Sequence, residues 1–152
     1  MSVLVAVYNA ERYLPQCLES LVNQTHEEVE IICIDDASTD GSWAMLQQYA
    51  ARDERIVVLR QEVNQGQAHA RNRGLEVATG DYITMVDSDD WLAPDALAKA
   101  VEAAGEDERN DCVLLDVRYH EEASGKEWGY AYRTAAERMT GEEAFRLSLD
   151  WS

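Results

Sequence analysis

The sequence predicts an open, mainly parallel α/β sheet with helices on both faces, in a chain of 152 residues. Short, continuous apolar runs alternate along the chain with segments whose apolar residues recur every three or four positions. The runs are typical of strands covered on both faces, and the segments are typical of amphipathic helices. Regular alternation of the two is the pattern of a parallel sheet. Because 46% of the residues are hydrophobic, the chain can form a sizeable core.

The first half of the chain contains three predicted strands and two predicted helices. The strands are the apolar runs Val3–Val7, Ile31–Ile34 and Ile56–Leu59. The first helix has apolar residues spaced i, i+3, i+4, i+7 and i+8 from Leu14 to Val22. The second helix follows several N-cap candidates in residues 37–42 and continues to Ala50.

The second half begins in the same way and then becomes harder to interpret. A helix is predicted over Gln67–Ala78, ended by Thr79-Gly80, and a strand over Tyr82–Val86. Pro94 is expected in the first turn of a helix that continues to Ala104. Further elements are predicted as strands at Cys112–Tyr119 and Glu127–Tyr132 and a last helix at Glu142–Leu149.

The charge and the apolar segments exclude several classes of partner. Aspartate and glutamate total 30 against 13 lysines and arginines, which gives a formal net charge of −17. Such a surface repels nucleic acids and anionic membranes, so neither is expected as a non-specific partner. The longest apolar stretches are too short to cross a membrane, so no transmembrane segment is predicted. Three widely separated cysteines, Cys17, Cys33 and Cys112, predict buried thiols and a cytoplasmic location.

Ligands of parallel sheets bind beyond the carboxyl ends of the strands, so the residues at those ends were considered as candidates. The first strand is followed by Tyr8-Asn9-Ala10-Glu11, which is not a glycine-rich turn. Binding of NAD or FAD would require G-x-G-x-x-G at this point, and no P-loop motif occurs anywhere in the chain. The sequence therefore argues against both kinds of nucleotide site.

Acidic side chains follow two of the other strands. Asp35 and Asp36 come after the second strand, where a carboxylate can accept hydrogen bonds from a ribose hydroxyl or a base N–H. For either one, capping of the following helix is an equally good interpretation. Asp87-Ser88-Asp89-Asp90 follows the fourth strand, and hard oxygen ligands of this kind suit Mg²⁺ or Mn²⁺ beside substrate phosphates. The alternative for this cluster is a solvated acidic turn before the Pro94 helix.

A third candidate segment runs from Asn64 to Gly74 and contains two arginines. Gly66 is expected to allow a backbone turn before the helix. Arg71 and Arg73 bring positive charge into an acidic protein, and either one is able to contact a diphosphate or sugar. The alternative is a structural helix whose arginines pair with surface carboxylates. We favour the structural role for Arg73 and leave Arg71 open.

Four motifs in this order resemble the family 2 glycosyltransferases, which have a GT-A fold and use nucleotide-diphosphate sugars. They are V-A-V-Y-N-A-E-R-Y-L from Val5, I-D-D-A-S-T-D-G-S from Ile34, N-Q-G-Q-A-H-A-R-N-R-G from Asn64 and G-D-Y-I-T-M-V-D-S-D-D-W from Gly80. The resemblance covers roughly residues 2–100, and the remaining third matches loosely. It implies a Rossmann-like nucleotide-binding half in residues 1–120. Residues 121–152 would begin the acceptor-side region, which would be incomplete.

The resemblance also implies roles for individual residues. Tyr8 would lie beside the base, Asp36 would hydrogen-bond the base or ribose, and Asp87 and Asp89 would form the D-x-D pair. Asp89 would be the main protein ligand of Mn²⁺ or Mg²⁺, with Asp87 near the ribose or donor sugar. Ala6 replaces a proline or threonine found in many relatives. The other predicted nucleotide-sugar-binding residues are Asn9, Glu11, Asp35, Asn64, Gly66, Arg71 and Ser88.

The implied reaction is transfer of a sugar, with inversion, from a nucleotide-diphosphate sugar to a hydroxyl of a glycan or lipid-linked acceptor. A UDP-sugar is the expected donor, and surface-polysaccharide or cell-envelope glycan synthesis is the expected context. The full-length protein could then work at the inner face of the membrane. Such an attack needs a general base. The family's base lies well downstream of the D-x-D pair, so it is expected beyond Ser152, in a longer transferase of which this chain is a segment.

A phospho-acceptor receiver domain, a signalling module, is the main alternative function. Asp35-Asp36 and Asp87 imitate its paired acids and its phosphorylated aspartate. A receiver also needs a lysine at a later strand end, whereas Lys126 follows Ser124-Gly125 rather than an apolar strand. A D-x-D phosphatase of the haloacid dehalogenase type is less well matched, because its D-x-D strand normally comes first in the chain.

Overall fold

The computed structural model of the chain describes residues 1–105, 113 and 117–130. The chain divides into two compact units, Met1–Asp111 and Cys112–Ser152. This division falls nine residues before the boundary that we predict between the functional regions (120 − 111), which itself stays a prediction.

The first unit is a parallel sheet of four strands with four helices among its described residues. Its elements are β1 (Ser2–Val7), α1 (Leu14–Val22), β2 (Glu30–Asp35), α2 (Ser42–Ala50), β3 (Ile56–Arg60), α3 (Gln67–Leu75), β4 (Ile83–Met85) and α4 (Ala96–Gly105). The strand order is β3-β2-β1-β4, and every neighbouring pair is parallel. The predicted fold class is confirmed.

Helices cover both faces of the sheet, as the apolar runs predict. Every residue of β1 is buried, because its alternate side chains enter two different cores. Val3, Val5 and Val7 pack into the larger core with residues of α1, α2 and α4. Leu4 and Ala6 face the smaller core, to which α3 contributes Ala70.

Gly74 allows α3 to lie close against the sheet. A Cβ at this position would be 2.8 Å from Cδ1 of Ile34 and 3.2 Å from Cδ2 of Leu4. A side chain there would push α3 outward, away from β1 and β2. This close approach matters for function because α3 begins and continues beside the candidate site.

Three element boundaries differ from those predicted. The third helix ends at Leu75 rather than at residue 78, since the N–H groups of Val77 and Ala78 both donate to the carbonyl of Gly74 and close a tight turn. The fourth strand is limited to Ile83–Met85, which pair with the first residues of β1. The fourth helix begins at Ala96, two residues after Pro94.

The described part of the second unit is an antiparallel hairpin of β5 (Val117–Glu121) and β6 (Lys126–Tyr130). Gly125 in its turn has a φ of 66°, which glycine adopts readily. Tyr119 and Trp128 are direct cross-strand partners whose rings stack at 5.9 Å. The two strands overlap the predicted ones. The rest of the prediction for this region, including the helix at 142–149 and the burial of Cys112, lies outside the described residues.

Glu30, at the start of β2, forms hydrogen bonds with the start of β1 and with the segment before β4, all at the amino-terminal end of the sheet. Its Oε1 atom accepts hydrogen bonds from the hydroxyl of Ser2 at 2.6 Å, from Thr79 and from the N–H of Gly80 at 3.0 Å. Partial burial opposes ionisation of Glu30, but these donors outweigh it and hold its pKa below the usual 4.5.

Glu30 therefore makes stability depend on pH. A lowered pKa in the folded state stabilises the fold above the pKa of the unfolded chain, and this contribution is lost as pH falls through the folded pKa. We expect Glu30→Gln to destabilise the protein at about pH 7 and to lose much of that effect at about pH 3.5. Urea unfolding at both pH values measures it. The exposed Glu54→Gln is the control, and an equal Glu30→Gln effect at both pH values would contradict the assignment.

Candidate functional site

The candidate site lies at the carboxyl ends of β1, β2 and β4, where the predicted polar residues meet. Because β2, β1 and β4 are adjacent and parallel, the loops that follow them emerge at one edge of the sheet. The segment after β3 folds back toward them and leads into α3. Side-chain hydrogen bonds join these four segments.

Asp36 holds the segment that precedes α3. Its Oδ1 accepts hydrogen bonds from Nε2 of Gln61 at 2.6 Å and from the N–H of Gln65 at 2.9 Å, and its Oδ2 accepts from the N–H of Gly66 at 2.7 Å. The residue is only 2% exposed. A carboxylate offers about four acceptor positions, so these three bonds leave one position on Oδ2. Asp36 is thus able to build the loop and to accept one further hydrogen bond.

Asp35 is fully buried and is less completely satisfied. Its Oδ2 lies 3.3 Å from Nε of Arg60 and accepts from the N–H of Ser38. Its Oδ1 is buried without a hydrogen-bond partner among the described residues. Arg60 in turn lies over the ring of Trp43 and lines a cavity of about 540 Å³. The rest of the cavity wall comes from Ala37, Ser38, Thr39, Gln61 and Glu62.

The helix-capping alternative for Asp35 and Asp36 is wrong, because neither contacts the start of α2. Gly41 is the N-cap residue, and Asp40 before it bonds the first residue of the helix, with its Oδ1 accepting from the N–H of Ser42 at 3.0 Å. Oδ2 of Asp40 accepts from the N–H of Glu11. These donors outweigh desolvation and hold the pKa of Asp40 below its usual value.

Asn9 and Glu11 join the loop after β1 to the loop after β2. Asn9, at a φ of 49°, accepts from the N–H of Thr39 through Oδ1 at 2.8 Å. Oε2 of Glu11 accepts from the N–H of Gly41, also at 2.8 Å. Both residues therefore lie at the predicted edge, where their side chains shape the loops. Direct contact of either with a ligand stays a prediction.

The helix α3 connects the two acidic positions. Arg71 reaches Oδ1 of Asp87 at 2.5 Å, and Nε2 of Gln67 donates to the same oxygen at 2.9 Å. The helix starts directly after Gly66, whose φ of 89° is favourable for glycine. Asp36 thus holds the start of α3, and α3 holds Asp87.

The structure distinguishes the roles of the two arginines of α3. Arg71, left open by the sequence, lies in the site, whereas Arg73 pairs with Glu76 on the surface, as the structural interpretation predicts. Gln67 was missed. The available signal was its position one helical turn before Arg71, which places both side chains on one face.

The segment after β4, residues 87–93, is called the acidic loop because it carries closely spaced carboxylates. Burial raises the pKa of Asp90, and the charges of Asp89 and Asp87 raise it further. No group of three or more His, Cys, Asp or Glu side chains converges on a metal position among the residues described. Mg²⁺ and Mn²⁺ commonly use one or two carboxylates together with phosphate oxygens. Asp89 is exposed and offers one such carboxylate, whereas Oδ1 of Asp87 is bonded by Arg71 and Gln67. Ser88 lies between them, half-buried.

The remaining predicted residues line the same edge with different exposure. Tyr8 is 50% exposed directly after β1, where a planar ligand has access to its ring. Ala6 is buried in the smaller core below it. Asn64 is exposed in the segment before α3.

Three polar contacts of α1 with the acidic loop were also missed by sequence reasoning. Sγ of Cys17 lies 3.6 Å from the carbonyl oxygen of Asp87, Ser20 contacts Leu92, and Gln24 contacts Ala93. Burial, and then the charges of the acidic loop, raise the pKa of Cys17 to about 12, so its thiol stays neutral. Cys17 and Cys33 are free and buried, as predicted.

None of the helices in the described residues combines the length and the apolar character that crossing a membrane requires.

Comparison with known sequences identifies the family. The sequence model of Glycosyl transferase family 2 matches residues 2–150. EpsH of Bacillus subtilis is 44% identical over 126 residues, which cover 83% of this chain and 36% of that protein. Poly(ribitol-phosphate) beta-glucosyltransferase of Bacillus spizizenii is 46% identical over 102 residues, which cover 65% of this chain and 16% of that protein. The chain thus spans well under half the length of these relatives.

Solved structures agree with the sequence comparison. S. aureus TarS 1-349 in complex with UDP-GlcNAc matches with a TM-score of 0.65 and 34% identity, over 69% of this chain and 31% of that one. Mannosyltransferase PcManGT from Pyrobaculum calidifontis, in complex with GDP-Man and Mn²⁺, matches with a TM-score of 0.63 and 30% identity, over 68% and 31%. A receiver domain is incompatible with these matches. The chain belongs to glycosyltransferase family 2.

Proposed function

We propose that this chain is the donor-binding segment of a transferase that moves a sugar from a nucleotide-diphosphate sugar, with UDP as the expected nucleotide. The observation that supports this most directly is the connection made by α3. This helix links Asp36, at the end of β2, to Asp87, at the end of β4. A nucleotide-diphosphate sugar bound here would place its base near Asp36 and its diphosphate near Asp87.

The base and ribose would bind beside β1 and β2. The exposed ring of Tyr8 is suited to stack on the base, and the remaining acceptor position of Asp36 is suited to a base N–H or a ribose hydroxyl. Asp35 supports the same end through its ion pair with Arg60. Ala6, Asn9, Glu11, Asn64 and Gly66 would form the surrounding wall, by direct contact or by holding the loops.

The diphosphate and a divalent cation would bind beside the acidic loop. Asp89 is the main proposed ligand of Mn²⁺ or Mg²⁺, with Asp87 and Ser88 nearest the ribose and donor sugar. Bound there, the cation would neutralise charge that develops on the departing diphosphate. Arg71 is close enough to Asp87 to orient its carboxylate and to add positive charge beside the phosphates. The complex of the Pyrobaculum mannosyltransferase with GDP-Man and Mn²⁺ supports the use of a divalent cation with the donor.

Transfer to the acceptor would proceed by attack of a hydroxyl on the anomeric carbon from the side opposite the diphosphate, which gives inversion. The proton of that hydroxyl needs a general base, which we expect outside this chain. We propose a glycan or lipid-linked acceptor, and the name of the Bacillus spizizenii relative, a poly(ribitol-phosphate) glucosyltransferase, supports a polymer as acceptor. Free, buried Cys17 and Cys33 support a reducing location such as the cytoplasm.

Donor binding is testable by thermal unfolding. With Mn²⁺ and a UDP-sugar at about 100 times its Kd, we expect an increase in Tm of roughly 5–10 °C. Asp89→Ala should lose most of this increase because it removes the main protein ligand of the cation. Asp81→Ala removes an exposed carboxylate at the other end of β4 and should keep the full increase. No increase with either UDP- or GDP-sugars in the unmodified chain would refute the proposal.

A further inference from the structure

Helix α1 presents a polar stripe to the acidic loop. The stripe consists of Cys17 and Ser20, which lie one turn apart on one side of α1, and of Gln24, which follows two residues after the helix ends. Leu14, Leu18 and Leu21 are buried in the larger core, and Cys17 is buried with them. Ser20 and Gln24 bring polar side chains beside this apolar surface, where their hydrogen-bonding groups need partners.

Each residue of the stripe bonds to a different point of the loop. Sγ of Cys17 lies against the carbonyl oxygen of Asp87, at the start of the loop. The hydroxyl oxygen of Ser20 accepts from the N–H of Leu92 at 3.1 Å. Nε2 of Gln24 donates to the carbonyl oxygen of Ala93 at 2.7 Å. The stripe therefore holds the loop on both sides of its acidic residues.

Gln24 also joins the loop to the helix that follows it. Its Oε1 accepts from the N–H of Leu97 in the first turn of α4, and its Nε2 donates a second bond to the carbonyl oxygen of Ser20. The side chain is 5% exposed and uses both amide hydrogens and its oxygen. A buried amide satisfied in this way has one favourable orientation, so it holds its neighbours in one arrangement.

The acidic loop needs such support because its charges oppose its own conformation. Asp89 and Asp90 lie between the two points that the stripe holds, and both reach solvent, although Asp90 is partly desolvated. Repulsion among Asp87, Asp89 and Asp90 favours a more open loop unless other contacts restrain it. The stripe supplies that restraint by contacting backbone groups of the loop, so the carboxylate side chains stay accessible.

We propose that Ser20 and Gln24 are positioning residues for the donor site: they hold the backbone of residues 87–93 so that the Asp89 carboxylate is pre-arranged for the cation and diphosphate. This inference rests on the proposed function. It assigns Ser20 and Gln24 no contact with substrate. Their effect is transmitted through the loop, because a ligand group that is already ordered costs less entropy to bind.

Calorimetric titration of a UDP-sugar in the presence of Mn²⁺ tests the positioning role. Ser20→Ala and Gln24→Met should each raise Kd about tenfold, or about 1.4 kcal/mol. Amide hydrogen exchange of residues 88–91 should become faster in both. Ser20→Thr, which keeps the hydroxyl, should restore binding. Ser2→Ala is the matched control, since it removes a buried hydroxyl at the other end of the sheet and should lower Tm without changing Kd.

The possible results separate the two proposals. If the unmodified chain binds the donor and both variants bind equally well, with only a lower Tm, Ser20 and Gln24 are merely structural and the inference is wrong. Unchanged hydrogen exchange at 88–91 would reject it on independent grounds. If the unmodified chain binds no UDP- or GDP-sugar, the proposed function fails, and the positioning role fails with it.

Discussion

Asp36→Ala is expected to lower the free energy of unfolding by about 3 kcal/mol and to weaken donor binding by about tenfold or more. The stability loss follows from three hydrogen bonds to a buried charge, each worth about 1.5–3 kcal/mol and not fully additive. Binding should suffer because Gln65 and Gly66 lose the acceptor that fixes the start of α3. Urea unfolding and calorimetric titration with a UDP-sugar and Mn²⁺ measure the two effects.

Asp53→Ala is a suitable control for that variant. Asp53 also forms an ion pair, with Arg55, but the pair is partly exposed and precedes β3, away from the candidate site. We expect it to lower stability by about 1 kcal/mol or less and to leave Kd unchanged. A loss below about 1 kcal/mol for Asp36→Ala, or an unchanged Kd, would show that Asp36 does not organise this loop.

Gly80→Ala is expected to lower the free energy of unfolding by about 3 kcal/mol, although it adds a single methyl group. A Cβ at Gly80 would lie 2.7 Å from the backbone carbon of Met1 and 2.7 Å from the backbone nitrogen of Ser2. Backbone atoms at the start of β1 are unable to move without disturbing the N–H of Ser2, which donates to the carbonyl of Tyr82 at 2.8 Å. Urea unfolding measures the loss.

Gly105→Ala is the matched substitution for comparison. A Cβ there meets nothing within 4 Å among the described residues, and the position is the last of α4. The change should alter stability by less than about 1 kcal/mol, because alanine favours a helix over glycine by about that amount. Equal effects of the two substitutions would mean that the close approach at Gly80 is not what limits stability.

The fold could be predicted from the sequence because strands that are buried on both faces appear as continuous apolar runs. The strands β1 and β2 each contain a continuous apolar run, Val3–Val7 and Ile31–Ile34, and their positions were predicted to within one residue at each end. The fourth strand was predicted one residue too long at each end, since Tyr82 and Val86 each make a single backbone hydrogen bond to β1 but lie outside the paired residues Ile83–Met85. Apolar character predicts burial, whereas the length of a strand is decided by the partner strand.

For the candidate site, the sequence predicted which residues lie there but not which contacts they make. The rule that ligands bind at strand ends selected Asp35, Asp36 and Asp87 without any knowledge of their contacts. Their different environments could not be predicted, because one carboxylate that follows a strand resembles another in sequence. In the structure Asp36 is satisfied by a loop some thirty residues away, while Asp35 pairs with Arg60 and keeps one oxygen without a partner among the described residues.

The sequence by itself determined the fold class, the family and the edge of the sheet that carries the candidate site, because periodic burial and ordered motifs are local properties of the chain. Only the tertiary structure decided that Arg71 rather than Arg73 pairs with Asp87, that Asn9 and Glu11 join two loops and that Ser20 of α1 bonds to Leu92. These contacts join residues far apart in sequence. Their partners are chosen by the packing of helices on the sheet, which leaves no local pattern.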